Sequence, residues 1–182
     1  ITVSYVWDLP HFSNRNLLMR EAAGGWQLTG IIRRQSATPL TLTAGSDRSQ
    51  TGLNTDRALK VSSNVYGGSA CAKVSSACVN YLDPTAFVTV YTATSYPLGT
   101  YGNTGKGQFS GPSFITWDVG MLKNFALTPS ERVRMQFHAE FFNVLNHTNL
   151  NNPTTAANSA NFGNIQSSQD PRIGQLALKV IF

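Results

Sequence analysis

The sequence predicts an all-β protein, an antiparallel meander of about five long strands, and three observations support this fold class. Several segments alternate apolar and polar residues with a period of two, the pattern of a strand with two different faces. No apolar run approaches the roughly 18 residues of a membrane-spanning helix. Gly, Ser, Thr and Asn are abundant between the alternating segments, as expected of turns and loops.

The first two strands are predicted in the opening part of the chain. Residues 1–9 carry Ile, Val, Tyr, Trp and Leu on one face, and Pro10 ends the strand because proline cannot donate to a sheet ladder. A connector with a helical turn around residues 17–21 follows. The second strand is predicted from Gly25 through Gln35 and, with a bend, past Pro39 to Thr43.

Three further strands are predicted in the second half of the chain. Residues 113–127 alternate with only Lys123 breaking the apolar face, and residues 133–141 alternate throughout. The last strand, residues 172–182, is apolar on one face up to its final residue. The apolar positions of this C-terminal strand are Leu176, Leu178, Val180 and Phe182.

Two long segments separate these strands and are predicted as large loops. They comprise residues 44–112, with short hairpins around 87–91, and residues 148–170. Short and long connections therefore alternate along the chain, as in outer-membrane barrels with short periplasmic turns and long extracellular loops. The charged fraction of 13% is about half of the usual share of roughly 25%.

These features predict the C-terminal part of a transmembrane outer-membrane β-barrel with long extracellular loops. We expect the apolar strand faces to contact lipid in the bacterial outer membrane. Trp7, Trp26 and Phe125 are expected near the periplasmic interface, in an aromatic girdle. About five strands cannot close a barrel, which needs at least about eight, so we expect the chain to be the C-terminal piece of a longer protein.

Two groups of residues are candidates for a specific role. Cys71 and Cys78 are close in sequence, with no other Cys and no nearby His, so a disulfide is expected and two free thiols are the alternative. Asp118, Arg134, His138 and Glu140 are predicted on the polar, lumen-facing side, with Asp118 paired to Arg134. We favour a mutually paired lumen wall over a ligand or plug site.

Other functional classes find little support in the sequence. The net charge of +5 is spread thinly, without the Lys/Arg cluster typical of a nucleic-acid face, so no nucleic-acid partner is expected. Residues 102–107 lack the spacing of a phosphate-binding loop. No base lies beside a nucleophile at a recognisable spacing, and His147 has no metal-binding companion. We expect no enzyme activity, no metal and no cofactor.

Short stretches across nearly the whole chain follow one another in a recognisable order and spacing. They are GGWQLTGI at 24–31, SATPL at 36–40, DPTAF at 83–87, GN at 102–103 continuing to GP at 111–112, WD at 117–118 continuing to KNF at 123–125, EFFNVLNH at 140–147, FGNI at 162–165, DPR at 170–172 and QLALK at 175–179 continuing to Phe182. Together they resemble the C-terminal end of TonB-dependent receptors, in particular the Oar-like group that has a carboxypeptidase-regulatory-like domain, as in Acidobacteria.

The resemblance implies a barrel of about 22 strands that takes up a large ligand with energy passed through TonB. It implies four partners: outer-membrane lipid, the upstream strands and plug domain of the parent chain, TonB acting through that plug, and the barrel-assembly machinery. The strand ending at Phe182 resembles the signal that this machinery recognises. The plug and the earlier strands are not in this sequence, which puts independent transport by this chain in doubt. A secreted or surface β-sandwich or adhesin-type binding module, and a passive porin, remain alternatives.

Overall fold

The computed structural model describes residues 1–10, 24–67, 79–127 and 133–182. The chain divides into two compact units. The sheet unit comprises Ile1–Gln35, Phe114–Thr148 and Asp170–Phe182, and the loop unit comprises Ser36–Ser113 and Asn149–Gln169. The predicted helical turn at 17–21 and the predicted disulfide between Cys71 and Cys78 lie outside the described residues.

The sheet unit contains five antiparallel strands that follow one another as a meander. In spatial order they are β1 (Thr2–Asp8), β2 (Trp26–Gln35), β6 (Phe114–Ala126), β7 (Arg134–Phe142) and β9 (Ile173–Ile181). Short pairs form the remaining strands: β3 (Pro39–Leu40), β4 (Val79–Asn80), β5 (Phe109–Ser110) and β8 (Asn164–Ile165). The structure confirms the predicted fold class.

The predicted continuation of the second strand past Pro39 is wrong. β2 ends at Gln35, and Pro39–Leu40 instead pairs with Phe109–Ser110 in a separate ladder. The reason is burial: Leu40 and Leu42 are only 4% and 0% exposed, because both belong to the hydrophobic core of the loop unit. The chain therefore leaves the five-stranded sheet where its side chains begin to enter the hydrophobic core of the loop unit.

The register of the sheet unit separates its side chains into two faces of opposite character. Directly paired residues point to the same face. We call the first the apolar face; its members include Val3, Tyr5, Trp7, Trp26, Leu28, Ile32, Trp117, Val119, Met121, Phe125, Met135, Phe137, Ala139, Phe141, Leu176, Leu178 and Val180. The polar face includes Ser4, Asp8, Gln27, Thr29, Arg33, Thr116, Asp118, Asn124, Arg134, Gln136, His138, Glu140, Gln175 and Lys179.

Two glycines on the apolar face make room for aromatic rings on neighbouring strands. Gly30 is paired with Tyr5, and a Cβ at Gly30 would lie 2.4 Å from the Tyr5 ring. Gly174 is paired with Phe141, and a Cβ there would lie 3.0 Å from the Phe141 ring. A ring laid across a cross-strand glycine covers exposed backbone and fixes the register.

The loop unit has its own hydrophobic core although most of its backbone is irregular. The buried cluster comprises Leu40, Leu42, Ala58, Val65, Leu82, Ala86, Phe87, Phe109, Ala157 and Phe162. The ring of Phe87 makes edge-to-face contacts with Phe109 and Phe162, with centroid distances of 5.7 and 5.3 Å. The predicted hairpin at 87–91 is wrong, because Phe87 fills this core and pairs only through an isolated bridge with Lys60.

The two long segments fold together to make this unit. Val79–Asn80 pairs with Asn164–Ile165, and the carbonyl of Gly163 accepts from the backbone N–H groups of both Tyr81 and Leu82. The second segment thus completes the core of the first. Within the described part of the chain, no helix is both long enough and apolar enough to cross a membrane.

Candidate functional site

The four polar residues singled out from the sequence share one face of the sheet. Arg134, His138 and Glu140 lie on β7 at spacings of four and two residues, so their side chains share one face. Asp118 lies on the same face of β6. Their positions along the sheet differ. Arg134 is opposite Ala126 at one end, whereas Asp118 lies towards the other end, so the expected pairing of Asp118 with Arg134 is wrong.

Asp118 instead holds the backbone at the end of β7. Its Oδ1 atom accepts from the Thr116 hydroxyl at 3.0 Å and from the backbone N–H of Asn143 at 2.9 Å. Asn143 has a φ of 51°, in the left-handed region that asparagine tolerates better than most residues. The Asn143 side chain also accepts from the His147 backbone N–H at 3.0 Å. The carboxylate therefore stabilises the corner at which the chain leaves the sheet.

Gln136, His138 and Glu140 of β7 are hydrogen-bonded to one another or to neighbouring strands. The Gln136 amide donates to Asn124 at 2.9 Å, and its oxygen lies 2.7 Å from Nε2 of His138. Glu140 accepts from the Gln175 amide on β9. Side-chain bonds of this kind tie three strands together on the polar face.

An open depression of about 380 Å³ lies on the polar face around Gly120. Two carboxylates, from Asp118 and Glu140, border it, and exposed apolar side chains of Ile31 and Phe142 border it as well. The Thr29 side chain occupies the space over Gly120, since a Cβ there would lie 2.5 Å from the Thr29 hydroxyl oxygen. This chemistry suits a segment that carries both an apolar and a basic group.

Lys123 lies on the apolar face but is almost completely covered. It is 2% exposed, and its Nζ atom donates to the carbonyl of Gly24 at 2.7 Å. The ammonium lies 5.4 Å from the Trp26 ring centroid and 5.0 Å from that of Phe125. Cation–π contacts and the hydrogen bond stabilise a charge that an apolar face would otherwise not tolerate.

The aromatic residues predicted for a membrane interface lie at one end of the sheet. Trp7 pairs with Leu28 near the end of β1, Trp26 starts β2, and Phe125 is near the end of β6. Phe137 packs edge-to-face on Trp26 with the centroids 6.0 Å apart. An aromatic cluster at one end of an apolar face is typical of a membrane–water boundary.

The C-terminal strand forms one edge of the described sheet. β9 has β7 as its neighbour, and its apolar positions Leu176, Leu178, Val180 and Phe182 are exposed, with Leu176 at 69%. An exposed edge strand with an apolar face readily pairs with a further strand. β1 forms the other edge of the same sheet.

The loop unit contains a cluster around Arg48 that sequence reasoning missed. The Arg48 guanidinium lies 5.3 and 5.5 Å from the ring centroids of Tyr91 and Tyr96. Burial raises the pKa of Tyr91 to about 12; the nearby Tyr96 adds to the shift, and Arg48 opposes it. Arg48 and the two tyrosines are some forty residues apart in a segment without periodicity, so no sequence signal joined them.

Asp56 lies beside this cluster and is held as an anion. Burial raises the pKa of its carboxyl group, but hydrogen bonds from Ser49 and the Arg48 backbone outweigh burial and lower the pKa below its ordinary value. The backbone N–H of Ser49 donates to Asp56 at 2.6 Å. Among the residues that the structure describes, no group of three or more His, Cys, Asp or Glu side chains is arranged to hold a metal ion.

An antiparallel sheet with one apolar face and one hydrogen-bonded polar face is the arrangement that the wall of a transmembrane β-barrel requires. A family model described as an outer membrane beta barrel domain matches residues 1–175. The chain therefore belongs to this family and to the bacterial outer membrane, as predicted. A search of curated proteins and a search of solved structures each found no match.

Proposed function

We propose that this chain forms barrel wall and ligand-facing extracellular loops of a TonB-dependent receptor, which takes up a large ligand using energy passed through TonB. The observation that carries the proposal is the loop unit. Two long segments, which follow β2 and β7 from the same end of the sheet, fold into one unit with a shared core. A preorganised surface of this kind suits capture of a ligand before transport.

In this proposal the apolar face contacts lipid and the polar face lines the lumen. Lipid-facing and lumen-facing residues alternate along barrel strands, and Asp118, Arg134, His138 and Glu140 would then lie inside. The aromatic end of the sheet, with Trp7, would lie at the periplasmic boundary. The loop unit would consequently be extracellular.

The proposal assigns further partners by the chemistry of the exposed groups. Upstream strands of the parent chain would pair with β1 and β9 and remove both edges. The barrel-assembly machinery would pair with β9 during insertion, and a plug domain would fill the lumen and connect it to TonB. The depression beside Asp118 and Glu140 would contact a basic part of that plug. Catalysis is no part of the proposed role.

Electrical conductance of the complete gene product separates an energised receptor from a passive porin. The protein would be purified in detergent and inserted into a planar lipid bilayer bathed in KCl. We expect no steady open current, since a plug closes the lumen, together with binding of purified TonB periplasmic domain. A stable, large conductance and no TonB binding would identify a porin and refute the proposal.

A further inference from the structure

The loop unit has an open pocket of about 280 Å³ next to Arg48. Its lining includes Tyr91, Thr92, Pro97 and Leu98. Leu98 is 60% exposed, so the apolar part of the lining is open to solvent. The volume is near the lower end of the roughly 300–1,000 Å³ typical of ligand pockets, which favours a small molecule or one end of a larger one.

The Arg48 guanidinium has at least one N–H donor without a hydrogen-bond acceptor among the described residues. It has five N–H groups; Nη2 donates to the carbonyl of Tyr96, whereas Nε has no acceptor among the described residues. No ion pair links Arg48 to a carboxylate in the part of the chain that the structure describes. The carboxylate of Asp56 accepts from the backbone N–H and hydroxyl of Ser49. The positive charge at the pocket is therefore not neutralised by a carboxylate ion pair.

The surroundings hold this arginine in place before any ligand arrives. The Tyr96 hydroxyl donates to the Arg57 carbonyl at 2.9 Å, and the Tyr91 hydroxyl donates to the Ala44 carbonyl. The two rings contact edge-to-face with centroids 5.5 Å apart. Tyr91 is neutral at physiological pH, as an ordinary tyrosine is and as its pKa of about 12 requires, so no phenolate competes for the guanidinium. A preorganised cation loses little entropy on binding.

We propose that this pocket binds a carboxylate or phosphate group attached to a small apolar or aromatic group. The oxyanion would accept from Arg48 in the charge-assisted geometry that guanidinium favours, and the apolar group would lie against Pro97 and Leu98. The inference deepens the proposed receptor function by giving the ligand class as anionic, and its role as cargo recognition rests on that function.

The test uses three small probes of similar size and the complete protein in detergent micelles. Benzoate carries a carboxylate, phenyl phosphate carries a phosphate, and benzyl alcohol is neutral. Isothermal titration calorimetry gives each dissociation constant. The variants are R48Q, which removes the cation, L98E, which adds a repelling charge at the exposed wall, and K106Q, which removes one exposed positive charge outside the pocket lining.

We expect at least one anion to bind at least tenfold more tightly than benzyl alcohol, and the tighter one to identify the oxyanion. R48Q and L98E should each weaken this binding at least tenfold, and K106Q should leave it unchanged. L98E keeps the test decisive if R48Q does not fold, because Leu98 is exposed. Equal binding of the neutral probe, no anion binding, or full binding by folded L98E would overturn the inference.

These measurements need neither TonB nor an energised membrane. Failure of anion binding would therefore leave the conductance result, and with it the receptor proposal, intact. Conversely, a porin-like current with anion binding at Arg48 would refute energised uptake while retaining the binding site.

Discussion

At the scale of single residues, Lys123 shows how a charge is accommodated on a face that is mostly apolar. Its stem lies along the sheet, its ammonium is capped by the Gly24 carbonyl, and the rings of Trp26 and Phe125 shield it. Each of these neighbours lies at the aromatic end of the sheet. A long cationic side chain at such a boundary can bury its methylenes and still satisfy its charge.

The close approach of Tyr5 to Gly30 gives a prediction about register. The variant Gly30→Val places a branched side chain where the Tyr5 ring lies, and it should destabilise the barrel by about 1–3 kcal/mol. Denaturant unfolding of the complete protein in micelles measures this. The double variant with Tyr5→Ala should recover part of the loss, because the clash is then absent. If the losses in free energy of unfolding simply add in the double variant, the Tyr5 ring and Gly30 do not interact.

The raised pKa of Tyr91 predicts alkaline sensitivity of the loop unit. Its phenol ionises near 12 in the folded unit and near the ordinary value of 10 in the unfolded chain. The stabilisation from the neutral phenol is therefore complete below pH 10 and is lost as the pH rises towards 12. Near-ultraviolet circular dichroism against pH measures the loss. Tyr91→Phe should be less stable at neutral pH, lacking the bond to Ala44, but should lose less stability above pH 10.

At the scale of elements, strands were predictable from the sequence and the loop unit was not. β7 alternates so strictly that its predicted bounds of 133–141 differ by one residue from Arg134–Phe142. Alternation also assigns faces, which is why the apolar face was foreseen. It does not fix register, and so the pairing of Asp118 with Arg134 was wrong. No local sequence pattern predicts the contact between Phe87 and Phe162, which belongs to the hydrophobic core of the loop unit.

The shared core predicts that the second long segment stabilises the first. Phe162 is 2% exposed and packs on Phe87, so Phe162→Ala should destabilise the loop unit by about 3–5 kcal/mol. The strands of the sheet should remain assembled. Limited proteolysis on intact cells would show new cleavage in the loop unit while the barrel keeps its heat-modifiable migration.

Leu53→Ala, at an exposed position, is the control and should resist cleavage as the parent does. Unchanged proteolysis of Phe162→Ala would show that the two segments fold independently.

At the scale of the whole molecule, one face of the sheet contacts lipid and the other contacts water. Each strand must therefore carry side chains that suit both environments. This requirement explains why apolar and polar residues alternate along β7 from Arg134 to Phe141. It also explains why the polar face carries side-chain hydrogen bonds, some of which link different strands, as between Glu140 and Gln175. A single substitution should therefore have effects that depend on the face and little on the strand.

Neighbouring positions on β7 test this directly, since Phe137 belongs to the apolar face and His138 to the polar face. In the complete protein, Phe137→Arg replaces the ring that packs on Trp26 with a second cation directly opposite Lys123 on the lipid side, and should destabilise the barrel by about 0.5–3 kcal/mol. His138→Arg places the same group on the lumen side, where water solvates it. We expect the first variant to lose most folded protein from the outer-membrane fraction and the second to keep it. Equal assembly of both variants would contradict a lipid-facing Phe137, and loss of only His138→Arg would mean that the two faces are exchanged.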